Sequence, residues 1–533
     1  MTLWKFQSAC LLFLLLCIVT PDSTGQQIGA NCSAPRIRKS WEKYNAAEKA
    51  LYIEAVGVAM DKGYHLKFIQ LHTETQSGNE AHQNCMFIYW HRMMLLGYEN
   101  MLRSLDDRFK CITLPYWDHL AATSRRASGT CSNLQSCSPV ISETGGTSSA
   151  STKTRNLNIF GTTISPSSSE LCVNQAPHSH FCANNSVCAQ CVIRKRSAYM
   201  TNTAYPGEAS FGSVYQQVFT YNDSSRFTTS VERGVHNTIH NALGGIMAYL
   251  QAPADLIFYS HHALVDLLQT IYLKCQNGGE DILLSAANKS SDSRFWNACG
   301  RRSTGVVYTP ADSVTMRVTG FDGRTFVNVW QDPKNVLYPF FKDLPTKYVD
   351  LVDAKDLGNY SYTYNISGGL ANMYTNCWAS NTIDSTSFSL MAETRREYEG
   401  RRNGDLRPII SPGTEDDETV KRWTIALYES ARIVGYEEKA AREQMETVVC
   451  QYQEDCLGGV EDFTDLYRTN FGIEGHPRCF NVVEELKSGR RAIGIPNWRG
   501  ITARFLRCNK NNKKDKDKDT PPPPSPYDDI EMQ

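Results

Sequence analysis

The sequence has almost no net charge and, after its first segment, no long apolar run. Lys plus Arg number 55 and Asp plus Glu 56, which leaves a net charge of -1 over 533 residues. This balance argues against a nucleic-acid-binding protein and against global steering of a charged substrate. The lack of a later apolar run of about 20 residues predicts a mature chain without a membrane-spanning helix. Histidine is scarce as well, with 12 in all, so any clustering of it is informative.

Residues 1–25 predict a secretory signal peptide and therefore an extracellular protein. A lysine precedes the apolar run from Ala9 to Val19, which is too short to span a bilayer, and small residues follow at Ser23 and Gly25. Its removal takes two of the 18 cysteines and leaves 16, an even number compatible with several disulfides. Six N-x-S/T sequons are candidates for glycosylation: Asn31, Asn184, Asn222, Asn288, Asn359 and Asn365.

Apolar spacing predicts helices over residues 86–105, about 230–250, about 256–275 and about 417–450. Residues 121–169 are rich in Ser, Thr and Gly and predict an irregular surface loop, pinned by Cys131 and Cys137. Residues 306–308 and 325–330 predict short strands. The charged, proline-rich segment 509–533 cannot bury a core and predicts a disordered tail.

A second cysteine cluster lies between Cys172 and Cys191, with the spacing C-x9-C-x5-C-x2-C and with His178 and His180 inside it. In an exported chain this pattern favours disulfides over a zinc site.

The histidines form two groups. His236 and His240 are four residues apart, so on a helix both rings project from one face and can share an ion. No glutamate follows His236, so the zinc-protease pattern H-E-x-x-H is not met. A third ligand can come from the adjacent pair His261 and His262. Three uncharged imidazoles for each ion suit copper or zinc better than magnesium or calcium. The other group consists of His72, His82 and His91.

The strings around these histidines resemble those of the type-3 copper proteins, the family of tyrosinases, catechol oxidases and molluscan-type haemocyanin units. The matching strings are AHQNCMFIYWHRMMLLGYENMLR, LPYWD, VERGVHNTIHNALGGIM and APADLIFYSHHALVD, in the family's order. The resemblance covers residues 31–364, because DLGNYSYTY resembles the tyrosine motif that closes the family's catalytic core.

This resemblance implies a binuclear centre of two copper ions, with O2 as co-substrate and small phenols as substrates. His261 would then be a neighbour that supports a ligand. His72 is preferred to His65 because YHLKFIQLH resembles the family's Y-x-x-F-x-x-x-H segment with one inserted residue. His65, His178, His180 and His476 would be bystanders. The implied ligands are His72, His82 and His91 for the first ion and His236, His240 and His262 for the second.

Three further residues match functional positions of the family. Glu232 matches a glutamate that orders a water, Asn237 follows a ligand as in members that act on monophenols, and Phe258 matches an aromatic residue of the copper pocket. Ordinary alternatives exist: Glu232 would be a solvated carboxylate at a helix start, and Phe258 an ordinary core residue. Tyr249 stands where some members gate the entry.

The fold implied is mainly α, with a four-helix bundle around the dicopper centre, irregular loops and a few short strands. The predicted domains are a signal peptide (1–25), a catalytic domain (26–365), a C-terminal region of mixed or helical structure that could cover the site (366–508), and the tail (509–533). The sequence leaves the oligomeric state open.

Three departures from the family bear on function. Leu256 replaces a frequent proline, Leu267 replaces a frequent arginine, and Glu80 stands where many eukaryotic members have a cysteine bonded to the second histidine. Cys85 is near enough to take the place of that cysteine, but a buried free thiol is the expectation.

The function predicted is a secreted tyrosinase that hydroxylates monophenols, oxidises diphenols, or does both. A catechol oxidase without monophenol activity and a haemocyanin-like oxygen carrier are the alternatives, because the fold and ligands are shared. The single set of motifs favours an enzyme over a carrier, which normally repeats its units. A disulfide-rich binding protein with degenerate histidines is a third reading, and the six intact positions argue against it.

Overall fold

The computed structural model describes residues 32, 35–148, 155–183, 188–279, 283–296, 299–377 and 406–508. The predicted signal peptide, the 509–533 tail and the sequons at Asn31 and Asn184 lie outside these ranges. In chain order, the α-helices are α1 Ala46–Asp61, α2 Tyr64–Thr73, α3 Thr75–Ala81, α4 Phe87–Ser104, α5 His119–Ser128, α6 Pro139–Glu143, α7 Ser197–Met200, α8 Phe211–Phe219, α9 Ser224–Val231, α10 Asn237–Leu243, α11 Ile257–Gln276, α12 Ala286–Ser291, α13 Ser293–Trp296, α14 Tyr338–Phe341, α15 Gly368–Asn376, α16 Glu415–Ile433, α17 Glu438–Cys456, α18 Asp465–Phe471, α19 Arg478–Lys487 and α20 Trp498–Phe505.

The strands are few and short, which confirms the mainly α class. They form three antiparallel hairpins, β2–β3, β4–β5 and β6–β7, and one parallel sheet in the order β1-β8-β9. Their bounds are β1 Arg36–Lys39, β2 Leu157–Ile159, β3 Thr162–Ile164, β4 Glu170–Val173, β5 Val192–Lys195, β6 Arg317–Thr319, β7 Phe326–Asn328, β8 Tyr362–Ile366 and β9 Ile409–Ile410.

The core is built around α4 and α11, which pack against each other. Both helices are buried along almost their whole length. Their bounds confirm the helices expected over residues 86–105 and 256–275. Together with α2 and α10 they carry four of the six candidate ligands, whereas His236 directly precedes α10 and His82 directly follows α3.

Four secondary-structure expectations were wrong in part, and one of them is the helix over about 417–450, which residues 434–437 divide into α16 and α17. The helix expected over 230–250 is broken: a π-turn spans Glu232–His236, α10 ends at Leu243, and a 3-10 turn follows. The expected loop 121–169 begins within α5, because Asp118 caps its first turn and Gly129 ends it with a positive φ of 81°. Residues 306–308 contribute only an isolated bridge, Gly300 to Val307, whereas β7 lies within 325–330 as expected.

All 16 cysteines that remain without the signal peptide pair as disulfides, which agrees with an oxidising compartment. Cys131–Cys137, Cys172–Cys191 and Cys182–Cys188 confirm the disulfides expected in the two clusters. The expected free thiol at Cys85 is wrong, because this cysteine bonds to Cys299. The partner lies 214 residues away, a distance over which sequence spacing carries no signal.

The DLGNYSYTY segment closes the core through a buried charge network around Asp266. Tyr362 donates to this carboxylate at 2.5 Å, Arg92 at 2.6 Å and Arg38 at 3.4 Å, and Tyr364 donates as well. Burial alone would raise the pKa of Asp266, but the two guanidiniums hold it below its ordinary value. The network fixes α11 one turn after His262.

The C-terminal helices pack onto this core. α16 lies against α5 and α15, and α17 lies against α8. Among the described residues, none of the helices combines the length and apolar character needed to cross a bilayer.

Candidate metal site

The first histidine group points three rings at one spot from three different backbone elements. His72 lies in the last turn of α2, His82 caps the end of α3 in an extended conformation, and His91 lies in α4. Their ring centroids are 4.7 to 5.5 Å apart. Each Nδ1 donates to a carbonyl oxygen: Leu250 at 2.6 Å, Gly78 at 3.3 Å and Phe87 at 2.8 Å, respectively. In a neutral imidazole this leaves the Nε2 lone pair free to face the site.

The second group follows the same rule. His240 Nδ1 donates to the Met247 carbonyl at 2.7 Å, and His236 Nδ1 lies 2.9 Å from Asn237 Oδ1. His236 Nε2 lies 3.3 Å from His262 Nε2, so these two nitrogens converge. The Nε2 atoms of His72, His91 and His240 are buried and have no hydrogen-bond partner in the part of the chain that is described. Buried nitrogens without partners fit metal ligands, because an unsatisfied buried polar atom otherwise costs about 1–3 kcal/mol.

The choice between His261 and His262 depends on which nitrogens are already bonded. Ligand atoms of His236, His240 and His261 lie within 4.8 Å of one another, so distance alone favours His261. However, His261 Nδ1 lies 2.9 Å from His119 Nε2, and its Nε2 lies 3.3 Å from the His236 carbonyl. His262 has neither bond, and its ring stacks on His91 with centroids 4.1 Å apart. Bonding therefore favours His262.

Two phenylalanines line the space between the groups. Phe258 lies 4.1 Å from the His262 ring and 5.1 Å from the His72 ring, in the pocket where the resemblance placed it. Phe87 lies 4.7 Å from His236 and 4.8 Å from His91, and the sequence analysis missed it. The signal was available, since both phenylalanines precede a histidine by four residues on a helix.

Burial keeps every ring of the two groups uncharged. It lowers the pKa of His72 to about 3 and that of His240 to about 4. It also lowers the pKa values of His82, His91, His236 and His262 well below the ordinary range, and the neighbouring imidazoles add to the effect. Neutral imidazole is the form that binds metal, so the site is prepared for ions at neutral pH.

Glu232 begins the π-turn that ends at His236, and Asn237 directly follows that turn as the first residue of α10. Glu232 Oε1 accepts the backbone N–H of Gln83 at 2.7 Å and so joins the second group to the loop that carries His82. Burial raises the pKa of Glu232 to about 8. The interpretation of Glu232 as a solvated carboxylate is wrong, because the residue is only 4% exposed. Functional sites often lie on such π-turns, which add a residue to one helical turn.

Glu80, where the family often has cysteine, is the hub of a hydrogen-bond cluster. It accepts from Tyr348 Oη at 2.6 Å, from Arg301 Nη1 at 2.9 Å, and from Thr315 N and Oγ1 at 2.7 and 2.9 Å. With Cys85–Cys299 it ties the His82 loop to residues 299–348. Sequence reasoning missed this role because these partners are more than 200 positions away.

The remaining histidines lie outside both groups. His65 is buried between Tyr98 Oη, at 2.8 Å, and the Ala254 carbonyl, at 3.1 Å. His178 is buried 3.6 Å from Asp255, while His180 and His476 pair with surface aspartates. His119 was not singled out from the sequence, and it contacts His261 and Tyr205 Oη, the latter at 2.7 Å.

The C-terminal region reaches the site through residues 462–472, here called the cover segment. The Phe471 ring lies 5.8 Å from the His82 ring and 5.9 Å from the His240 ring, between the two groups. Tyr467 Oη donates to Asn237 Oδ1 at 2.9 Å. Phe463, Tyr467 and Phe471 pack with Ala248 and the half-buried Tyr249. The cover segment therefore occupies the open side of the histidine groups.

Comparisons with known proteins agree with this geometry. Residues 62–274 match the family model for the common central domain of tyrosinase. The tyrosinase-like protein phomQ1 of Diaporthe leptostromiformis is 27% identical over 292 residues, which are 50% of this chain and 68% of that protein. Tyrosinases of Streptomyces glaucescens and Streptomyces antibioticus are 27% and 26% identical, over 44% of this chain and 80% and 81% of theirs.

A helical core that points two sets of three imidazoles at one pocket defines the class of type-3 copper proteins. Within that class, the match of residues 62–274 is to the common central domain of tyrosinase. The matched segment contains all six candidate ligands, Glu232, Asn237 and Phe258.

Proposed function

We propose that this protein is a secreted, copper-dependent phenol oxidase. The observation that carries the proposal is the convergence of Nε2 atoms from His72, His82, His91, His236, His240 and His262, three of them buried without a partner. These residues would hold two copper ions, which supply the binding and reduction of O2 when bound. Small phenols are the proposed substrates.

The chain's own part in this reaction is orientation and exclusion of water. Carbonyl oxygens fix four of the six imidazoles through Nδ1, so little reorganisation is needed when ions bind. Phe87 and Phe258 close the pocket on two sides and present apolar faces on which a phenol ring can pack. A dry pocket strengthens every electrostatic contact to the substrate.

Glu232 and Asn237 are the proposed proton-handling pair. A phenol has a pKa near 10 and must lose its proton for oxidation. Asn237 Oδ1 already accepts a phenolic O–H, that of Tyr467, which supports a role for this oxygen in accepting the hydroxyl of a monophenol. Glu232, on the preceding turn, can take the proton through a water.

The direct experiment measures copper content and O2-dependent oxidation of tyrosine and L-DOPA. Two copper ions per chain and oxidation of both compounds are expected. Copper binding below two ions after reconstitution would refute the site. Oxidation of L-DOPA alone would favour a catechol oxidase, and reversible O2 binding without turnover would favour an oxygen carrier.

We further propose that the C-terminal region keeps the enzyme latent. Phe471 fills the position between the histidine groups that a substrate ring would need. The Tyr467 hydroxyl is hydrogen-bonded to Asn237 Oδ1, so this oxygen is already in use. The two disulfides of the region, Cys450–Cys479 and Cys456–Cys508, are internal to it, and none of the eight joins residues 406–508 to the rest. A single cut between residues 378 and 405 would therefore leave the region held by non-covalent contacts alone.

The contacts of α15 support a domain boundary later than residue 365. α15 packs on α11, and Cys377 bonds to Cys275 at the end of α11. We propose that residues up to 377 belong to the catalytic domain. A chain cut after Cys377 should retain its copper, whereas removal of residues 366–377 should destabilise the catalytic domain.

The latency test uses the full chain with Phe471→Ala, which opens space beside the histidines without removing the region. Activity is expected to rise several-fold over the unchanged full chain. Tyr467→Phe, which removes only the hydroxyl bonded to Asn237, is the matched control and should give a smaller rise. Equal activity from the full chain, both variants and the cut chain would refute latency.

A further inference from the structure

The cover segment shows where a substrate would lie, and this inference rests on the proposed phenol oxidase function. Phe471 places a six-membered ring between the two histidine groups, 5.8 Å from His82 and 5.9 Å from His240. A phenol has the same ring, so this position is the natural one for a substrate once the segment leaves. The main chain attached to that ring then marks the path of a substituent para to the phenolic hydroxyl.

Two side chains of the catalytic domain meet that main chain. Gln83 Nε2 donates to the carbonyl oxygens of Phe471 and, at 3.1 Å, of Gly472. A Cβ placed at Gly472 would lie 3.5 Å from Arg302 Nη2 and 3.6 Å from Gln83 Nε2. An amide donor and a guanidinium therefore lie side by side where the substituent of a bound phenol would emerge. Both would face oxygen atoms, since neither Nε2 of Gln83 nor a guanidinium can accept a hydrogen bond.

The place beside Gln83 and Arg302 where the substituent would emerge is here called the mouth. The charges around this mouth are predominantly positive. Arg302 is exposed and forms no ion pair within the described ranges, whereas Arg301 beside it is paired with Glu80 at 2.9 Å and Asp312 at 3.0 Å. Arg233, which follows Glu232 in the chain, is exposed as well.

The acidic groups near the mouth do not offset these arginines. Asp462 belongs to the cover segment, pairs with Arg468 and His476, and departs with that segment. Glu232 is buried, and its carboxylate already accepts the Gln83 N–H at 2.7 Å. The opened mouth therefore presents unpaired positive charge to an arriving substrate.

We propose that Gln83 and Arg302 select para-substituted phenols whose side chain carries a carboxylate, in preference to phenols that carry an amine. Gln83 donates to one carboxylate oxygen, in place of the carbonyl oxygens that it meets in the covered molecule, and Arg302 beside it donates to the other. Arg302 also attracts the anion before it enters. Neither residue takes part in the oxidation itself.

The test needs an opened site in the full chain. Phe463→Ala, Tyr467→Ala and Phe471→Ala together remove the aromatic packing of the cover segment. The copper-loaded opened chain is then assayed with an anionic phenol, 3-(4-hydroxyphenyl)propionate, a cationic one, tyramine, and a neutral one, p-cresol. A chain cut between residues 378 and 405 provides a second opened background.

In both backgrounds Arg302→Gln should raise KM for the anionic phenol roughly threefold to fivefold, the range of an exposed ion pair, and leave kcat unchanged. KM for tyramine should fall, KM for p-cresol should not move, and Arg302→Lys should restore most of the preference. Added salt should shrink the difference. Arg499→Gln, which removes an exposed guanidinium from α20, is the matched control and should leave KM unchanged for all three phenols.

The possible outcomes distinguish failure of the selectivity proposal from failure of the phenol oxidase proposal on which it rests. If Arg302→Gln leaves the anionic phenol unchanged, or shifts KM equally for all three phenols, the selectivity proposal is overturned and phenol oxidation stands. If Gln83→Ala alters p-cresol as strongly as the anionic phenol, Gln83 is only a support for the loop. If the copper-loaded opened chain oxidises none of the three, both proposals fall.

Discussion

The two histidine groups are similar in geometry but differ in what holds them. In the second group, His236 and His240 lie one turn apart, and Met247, seven residues beyond His240, supplies the carbonyl that orients it. In the first group, His82 lies between helices, and its loop is fixed by Glu80 and Cys85 to residues 299–348. The second group is thus largely local, whereas the first needs a distant part of the chain to be folded.

The largest expected effect concerns the second group and the choice between adjacent histidines. His262→Ala should reduce copper from two ions to one per chain and abolish oxidation, because it removes a ligand. His261→Asn should keep two ions, since the His261 nitrogens are bonded to His119 and to the His236 carbonyl. Copper analysis of both purified variants is the measurement. The reverse pattern would make His261 the ligand, as the nitrogen distances alone suggest.

The next effect concerns the first group. Glu80→Ala should weaken copper binding at that group roughly tenfold to a hundredfold, as for other groups that orient ligands, with little change at the second group. It also leaves Tyr348 and the Thr315 N–H without their acceptor, which should cost roughly 3 kcal/mol of unfolding free energy. Copper titration against a chelator and thermal unfolding measure the two effects.

Asp312→Asn is the matched control for Glu80. It removes the other carboxylate partner of Arg301 but keeps every hydrogen bond that Glu80 accepts. Its copper affinities should be normal. Equal weakening of both groups by Glu80→Ala would contradict the idea that they are held independently.

The same contrast explains what could be predicted from the sequence. The helices that carry His91 and His262, and the H-x3-H pair, follow from local periodicity and were predicted correctly. The π-turn at Glu232–His236 was missed, because one added residue leaves the apolar pattern almost unchanged. Cys85–Cys299, the Glu80 cluster and Phe471 depend on contacts between distant segments, for which a single sequence carries no signal.

A smaller effect is expected at the π-turn. Gly234 has a ψ of -115°, and a Cβ there would lie 2.2 Å from Gln217 Oε1, which accepts the Val235 N–H at 2.8 Å. Gly234→Ala should therefore displace Gln217 and cost about 1–3 kcal/mol. It should perturb copper binding at the second group more than at the first. Gly78→Ala, whose Cβ would have ordinary contacts, is the control; equal losses in the two variants would count against a specific role of the turn.

The smallest effect tests how the cover depends on pH. Glu208 of the catalytic domain accepts the Cys479 N–H at 2.7 Å, and burial raises its pKa to about 7. In the opened molecule the carboxyl is solvated and titrates near its ordinary value of about 4.3. Between these two pKa values only the covered form keeps the proton, so covering weakens as pH rises through this window and is constant above it.

The activity of the full chain, divided by that of the cut chain, should therefore rise from acidic to neutral pH and then level off. Glu208→Gln removes the titrating group and should flatten the rise. Asp118 on the same interface has its pKa raised to about 8 by burial and by Asp417, so Asp118→Asn should remove a component that extends to higher pH. A ratio that falls as pH rises, in the unchanged chain, would show that another group controls the cover, because both carboxyls act in the opposite direction.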